Sequence, residues 1–385
     1  MKKVWKIASY ILVAALASAV TFFGAFAMAP AEETPKLEQL ADLIEERFIG
    51  EADRTAMEDA AASAMVDALG DEWSYYIPAS QYQAHVEHMN NAYVGIGITI
   101  LVREDASGFE VTKVNEGGPA EEAGMKAGDV IVAIEGVSTG GMDTDTASSM
   151  VRGEENTQVQ LTIRREGETF DLSVTRKKVL TPVAVGQMVD RSIGLITITN
   201  FDDRCFSETK AAIDALQEQG ALALIFDVRN NPGGYKHELV ALLDYLLPEG
   251  PLFRSEDYKG NVNVDESDKD YLDMPMAVLV NGSSYSAAEF FAAALSEYEA
   301  AIVVGQQTYG KGYFQTTILL NDGSAVGLSV GKYTTPKGVS LAGVGITPDI
   351  VVEVDEETDF NIYAGMLAPS EDPQIQAAID ALKHP

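Results

Sequence analysis

Apolar and polar positions recur with different periods along this chain, and the period marks out its parts. Leu37, Leu40, Leu43, Ile44 and Phe48 stand at helical spacing in "KLEQLADLIEERFIG", and an alanine-rich stretch at about 54–69 predicts a second helix. From Tyr93 the pattern shortens. "YVGIGITILV" and "GFEVTKV" read as strands, "GGPAEEAGMKAGDVIVAIEG" as a short helix, a turn and a strand, and "DTASSMVRG" as a helix. "QVQLTIRREGETFDLSV" alternates strictly, with Val159, Leu161 and Ile163 before a Glu-Gly turn and Phe170, Leu172 and Val174 after it.

Beyond residue 179, strands and helices take turns. "IGLITITNF" reads as a strand, and Ser207 is placed to cap the helix "ETKAAIDALQEQG", closed by Gly220. "ALALIFDV" is a buried strand, "RNNPGG" a turn and "HELVALLDYLL" an apolar helix. After an acidic insert come the strand "MPMAVLVNGS", the helix "SAAEFFAAALSEY" and the strand "AIVVG". Repeats of this kind imply a largely parallel sheet covered by helices. The stretch "YFQTTILLNDGSAVGLSV" reads as a hairpin about an Asn-Asp-Gly turn.

Composition narrows the partners. The 385 residues allow two or three domains with sizeable cores. With 27 basic against 59 acidic residues the formal charge is −32, a field that repels nucleic acid and anionic membrane surfaces. Cys205 is alone, which excludes an internal disulfide and suits a small buried filler. Four histidines make no evident metal cluster; His85 and His88 share a helical face but lack a third ligand, so no metal is expected. At the N-terminus, Lys2, Lys3 and Lys6 precede an uncharged run from Ile7 to Ala31, long enough to span a bilayer. It reads as a signal peptide, with "AFAMA" offering cleavage positions, or as a membrane anchor. Both place the chain from Glu32 onward outside the cytoplasm.

Two short stretches carry candidate chemistry. In "GQQTYGKGYFQT", Gly305, Gly310 and Lys311 fit the opening of a phosphate-binding loop. The next residue is Gly312, not Ser or Thr, and a hairpin comes where a phosphate site needs a helix. No nucleotide is expected, and Lys311 needs other work. In "VLVNGSSYSAAEFF", Ser283, Ser284 and Ser286 lie where a buried strand gives way to a helix, whose first N–H groups are free to hold an oxyanion. Taken alone, the stretch favours the commoner job of serine there, capping the helix.

The stretch "GPAEEAGMKAGDVIVAIEG" resembles the signature of a PDZ domain. The "YVGIGI" loop, with Gly95, Ile96, Gly97 and Ile98, then falls where such domains cradle a peptide's C-terminal carboxylate on backbone N–H groups. Downstream of it, "SYSAAE", "GKGYFQ" and "DVRNNPGG", with "WSYYIPASQY" and "GITPDIVVEV", together resemble the carboxyl-terminal processing peptidases, a Ser-Lys family. That resemblance implies an α/β fold: a mixed core with a largely parallel sheet and helices, an inserted PDZ-like module and a helical N-terminal arm. The expected divisions are 1–31 signal peptide or anchor, 32–92 helical arm, 93–178 PDZ-like module, 179–352 peptidase core and 353–385 C-terminal arm.

Aligned on Glu289, the resemblance makes Ser286 the nucleophile, Lys311 the base, Gln315 its partner, and Gly233 and Ala287 the oxyanion amides. Ser284 remains an alternative nucleophile, two residues away. A lysine serves as base only when neutral, and burial among apolar walls lowers its pKa from about 10.4. Gln315 can orient the amine without adding charge, whereas His237, near "NPGG", reads as a surface residue. Tyr285 and Ala288 depart from the family pattern, and Tyr285 is bulky enough to narrow the first specificity pocket. The expected function is an exported endopeptidase that captures substrate C-termini and cuts through an acyl-enzyme, with no cofactor. The family also implies homodimers built through the terminal arms, which the apolar pattern of "PQIQAAIDAL" suits. The contrasting expectation is a PDZ adaptor with a degenerate catalytic domain.

Overall fold

The computed structural model describes residues 35–384, apart from 104, 106 and 116 and the side chain of His88. The expected signal or anchor lies outside the described residues. Among the described residues, no helix is long and apolar enough to cross a membrane. The chain divides into two compact units, up to Ala68 and from Leu69 onward. In the first, the helices Lys36–Arg47 and Arg54–Asp67 form where the apolar spacing predicts them. Asp53 caps the second by accepting from Ala56 N–H at 3.1 Å, and Arg54 reaches back to Asp42 at 2.8 Å.

The second unit is built on a six-stranded sheet. Ala184–Met188 pairs antiparallel with Ile193–Ile198, and Ala223–Asp227, Met276–Val280, Ala301–Gly305 and Ile350–Val351 then join in parallel. Ala223–Asp227 and Met276–Val280 are buried at every position, because a covered parallel sheet has no wet face. Side chains still alternate between its faces. Ile196, Ile198, Leu224, Phe226, Val278 and Val280 pack under the helices Cys205–Glu218, Lys236–Leu246 and Ala287–Glu297. Ile193, Leu195, Ile225, Ala277 and Leu279 point the other way, onto Ile375, Ala378 and Ile379 of the helix Pro373–Lys383.

The apolar face of "PQIQAAIDAL" is therefore spent inside the chain. That corrects the expectation that it meets a second copy. Arg229 pins the same helix: buried, it pairs with Asp227 at 2.6 Å and with Asp372, the helix N-cap, at 2.9 Å. Two carboxylates and the Gln374 Oε1 at 2.9 Å satisfy a guanidinium that would be costly to bury alone.

Three further readings change. The helix after "IGLITITNF" starts at Cys205, so Ser207 lies within it and donates to Arg204 C=O at 3.0 Å instead of capping. The acidic insert holds two strands, Gly250–Asp257 and Val262–Ser267. The described part of the expected helical arm, 35–92, holds three helices but also Tyr75–Ile77, a strand paired with Ala325–Thr334. These strands and the expected hairpin partner Tyr313–Leu319 make a second, five-stranded antiparallel sheet.

The glycine-rich module forms its own sheet, in the order Ile98–Val102, Phe109–Val114, Val130–Ile134, Gln158–Arg165, Glu168–Thr175. Its core, including Phe109, Val111, Ile131, Leu161 and Ile163, is separate from that of the large sheet. Ala92–Gly95 pairs antiparallel with Lys177–Leu180, so the two chain ends of this insertion lie side by side.

Candidate active site

Open α/β sheets present their sites at the carboxyl ends of strands. Here Ala223–Asp227 runs into the "NNPGG" turn, Met276–Val280 into the serine turn and Ala301–Gly305 into the lysine loop. Asn281 joins the first two: its Oδ1 accepts from Asn230 N–H at 2.9 Å and Ser283 N–H at 3.1 Å, and its Nδ2 donates to Asn230 Oδ1 at 2.9 Å.

The serines separate by environment. Ser284 is fully buried; its hydroxyl donates to Val228 C=O at 2.7 Å and accepts from Asn281 N–H at 3.0 Å. Both bonds tie it into the turn. Ser286 is half-buried and immediately precedes the helix Ala287–Glu297, at φ 59° and ψ −124°. An L-residue held in so sparsely populated a conformation is maintained by its surroundings, and such strain gathers at functional sites. Gly233, at φ +92°, lies against it: a Cβ there would stand 2.7 Å from Ser286 Cβ and 2.8 Å from Ala287 N. Only glycine fits.

The two expected oxyanion amides differ. Ala287 N–H, at the first turn of the helix, has no intrahelical acceptor. Gly233 N–H donates to Asn231 Oδ1 at 2.8 Å, and Asn231 is itself held by Ile198 C=O at 2.8 Å. Proximity is as expected, but this donor is engaged within its own turn.

The lysine loop is strapped to the serine helix by Glu289, which the sequence offered only as a landmark for alignment. Glu289 is fully buried, and its carboxylate accepts from the Thr308 hydroxyl, from Gly310 N–H at 2.8 Å and from Lys311 N–H at 3.0 Å. Burial pushes its pKa up against those bonds. The signal in the sequence was a lone acid inside the apolar run "AAEFFAAAL". Burial also lowers Lys311 to about 8, against the pull of Asp71 and Glu72. Its Nζ lies 4.3 Å from the centre of the Trp73 ring.

Among the described residues no hydrogen bond joins Lys311 Nζ to Ser286 Oγ or to Gln315. Gln315 Nε2 donates instead to Ser329 Oγ at 3.0 Å. Tyr333, also missed, is buried and donates to Lys311 C=O at 2.6 Å, tying the lysine loop to the strand Ala325–Thr334. Lys311 leads into the strand Tyr313–Leu319, so the geometry of a phosphate-binding loop is absent there. His237 is 66% exposed and stacks on Tyr235, away from the lysine loop's contacts. Cys205 is buried, and burial raises its thiol pKa.

Two depressions adjoin these groups. A cavity of about 530 Å³ is lined by Asn230, Pro232, Ser283 and Tyr285, so Tyr285 does wall the space beside the turn. A groove of about 820 Å³ runs along the hairpin past Ser74, Tyr258, Tyr313, Ile318 and Leu328. In the inserted module, Gly95, Ile96, Gly97 and Ile98 line a cavity of about 180 Å³ with Arg152, whose guanidinium lies 5.2 Å over the Tyr93 ring. Ile96 C=O accepts from Ala120 N–H at 3.0 Å and Gly97 C=O from Asn115 N–H at 2.9 Å. Because trans peptides point N–H opposite to C=O, the Gly97 and Ile98 N–H groups are turned away from those partners. Arg152 was not foreseen, and it forms no ion pair among the described residues.

A peptidase family S41 model matches residues 192–352, and a PDZ-domain model matches residues 110–165. The "Carboxy-terminal processing protease CtpA" of Bacillus subtilis (strain 168) is 32% identical over 324 residues, 83% of this chain and 69% of that protein. The "Probable CtpA-like serine protease" of Staphylococcus aureus (strain N315) is 32% identical over 331 residues, 85% of this chain. This chain spans 66% of that relative's length. A solved structure of a candidate S41 protease from Bacteroides fragilis has a TM-score of 0.55 at 15% identity, covering 92% of this chain and 98% of that one, a likeness of fold alone. With this identity and coverage, around a serine turn, a glycine wedge and a half-buried lysine, the chain belongs to the carboxy-terminal processing proteases of peptidase family S41 and carries a PDZ domain.

Proposed function

We propose that this protein is an exported serine endopeptidase that captures substrate C-termini in its PDZ domain and cuts by a Ser-Lys mechanism. The observation that carries the reading is the strained Ser286 turn, wedged by Gly233 and strapped through Glu289 to the loop of a half-buried lysine. Ser286 Oγ attacks the peptide carbonyl carbon while the neutral Lys311 amine takes its proton. The oxyanion forms beside Ala287 N–H, which is preorganised at the helix start. The tetrahedral species collapses, and the leaving amine takes the proton from Lys311. Water then attacks the acyl ester, gives its proton to Lys311, and Ser286 recovers it as the acid departs. The groove along the hairpin offers an extended chain room beside these groups. The basic start and apolar run of residues 1–31 support export. With the C-terminal helix occupied, pairing of copies would fall to the exposed face of Leu37, Leu40 and Leu43.

A PDZ adaptor is the competing reading. The engaged Gly233 N–H and the lack of a Ser286–Lys311 bond favour it. Labelling with a fluorophosphonate separates the two. The wild-type protein is expected to label on Ser286, and Ser286→Ala to lose both label and cleavage of unfolded protein. Lys311→Arg keeps the charge but cannot deprotonate, so it is expected to be inactive. An unlabelled wild type establishes the adaptor; an active arginine variant overturns the lysine as base.

A further inference from the structure

Gln315, expected to orient Lys311, bonds to Ser329 instead, and a different group lies over the amine. Trp73 lies 4.3 Å from Lys311 Nζ, over the face of its ring. Hydrogen bonds fix its segment to the antiparallel sheet. Asp71 accepts from Ser74 Oγ at 2.5 Å and from Trp73 N–H at 3.3 Å, and Ser74 Oγ accepts from Ser329 N–H at 3.1 Å. The next residues, Tyr75–Ile77, are a strand of the antiparallel sheet. Ser329 is also the residue that holds Gln315, so the segment of Trp73 and the displaced glutamine share one anchor. On its other sides the indole meets Tyr309 edge-on at 5.4 Å and Tyr285, the neighbour of Ser286, at 6.0 Å.

We propose that Trp73 is a positioning residue for Lys311: its ring covers the amine, excludes water from it and holds it beside the Ser286 turn. This rests on the Ser-Lys reading. The indole face attracts an ammonium, but only weakly, and the same ring removes part of its hydration. The charged groups acting on this side chain are Asp71 and Glu72 on the tryptophan segment, and Tyr309 on the lysine loop and Tyr285 on the serine turn pack against the indole and each other. Glu289 and Tyr333 hold the Lys311 backbone. The two acids favour the charged amine. The cover over Nζ opposes them, and Lys311 sits at about 8 rather than at its ordinary value.

The test is kcat/KM from about pH 5 to 10 for the wild type, Trp73→Phe and Trp73→Ala, with folding checked by circular dichroism. In Trp73→Ala the activating pKa should rise by about one unit or more, costing about tenfold at pH 7, with much of the loss regained near pH 10. Trp73→Phe, which keeps a ring over the amine, should restore the wild-type profile. A loss of equal factor at every pH, or no change, overturns the proposal. Trp73→Leu replaces the alanine variant if that fails to fold, with the same shift expected.

A second measurement is independent of catalysis. In Ser286→Ala, competitive acetylation of Lys311 followed by mass spectrometry against pH should show half-reactivity near 8, and a higher value once Trp73→Ala is added. If Lys311 titrates near its ordinary value of 10.5 with Trp73 in place, the proposal fails, whatever the fate of the Ser-Lys reading.

Discussion

Lys311 puts a charge-forming amine where charge is costly. Its pKa falls from 10.5 to about 8 because burial outweighs Asp71 and Glu72. Between about 8 and 10.5 the unfolded chain binds the proton that the folded one releases, so stability rises with pH across that window. Below about 8 the cost is present in full. Lys311→Met should therefore stabilise the fold at pH 7 by up to about 3 kcal/mol, from 1.36 kcal/mol per unit, and by little above pH 10.5. Denaturant melts of both proteins at pH 7 and 11 check this; equal differences at the two values would refute it. The residue proposed as the base thus lowers stability, as at strained sites generally. Ser286, at positive φ, does likewise.

At the scale of elements, the helix Ala287–Glu297 does two jobs. Its first N–H faces the Ser286 turn, and Glu289 one turn in grips the lysine loop. Glu289→Gln replaces one acceptor oxygen with a donor facing N–H groups. It should cost about 1–3 kcal/mol of stability. It should also lower kcat about tenfold, since a misplacement of 1 Å can cost more. A denaturation curve and kcat for this variant measure both; unchanged kcat would reduce the strap to a structural tie. Much at this scale was legible. The strands and helices of the large sheet are readable from their periods, and the serine and lysine loops lie next to those strands. What escaped depends on long-range contacts. Tyr75–Ile77 is too short to signal a strand until it meets Ala325–Thr334, and the indole's role depends on that pairing. Likewise, nothing local in "PQIQAAIDAL" says whether its apolar face meets a second copy or the chain's own sheet.

The whole molecule from Leu69 onward has separate cores for the sheet that carries the serine and for the PDZ domain. If the latter captures tails through the Gly97 and Ile98 N–H groups, the free carboxylate is its ligand. Amidating a substrate's C-terminus should then weaken binding about tenfold or more, the scale of losing one charge-assisted contact. Fluorescence anisotropy on Ser286→Ala reads this directly; equal affinity for both forms would leave the domain a spacer. One pairing has a consequence during synthesis. Tyr75 reaches Thr317 across 242 residues at 3.0 Å, and the strand it begins lies in the five-stranded sheet beside Ala325–Thr334. A ribosome makes Trp73 early and its docking strand late, with the whole PDZ domain in between. Until the late strand emerges, the indole cannot reach its place over the amine. An unfinished chain that ends before this strand thus carries Ser286 and Lys311 with the indole still undocked.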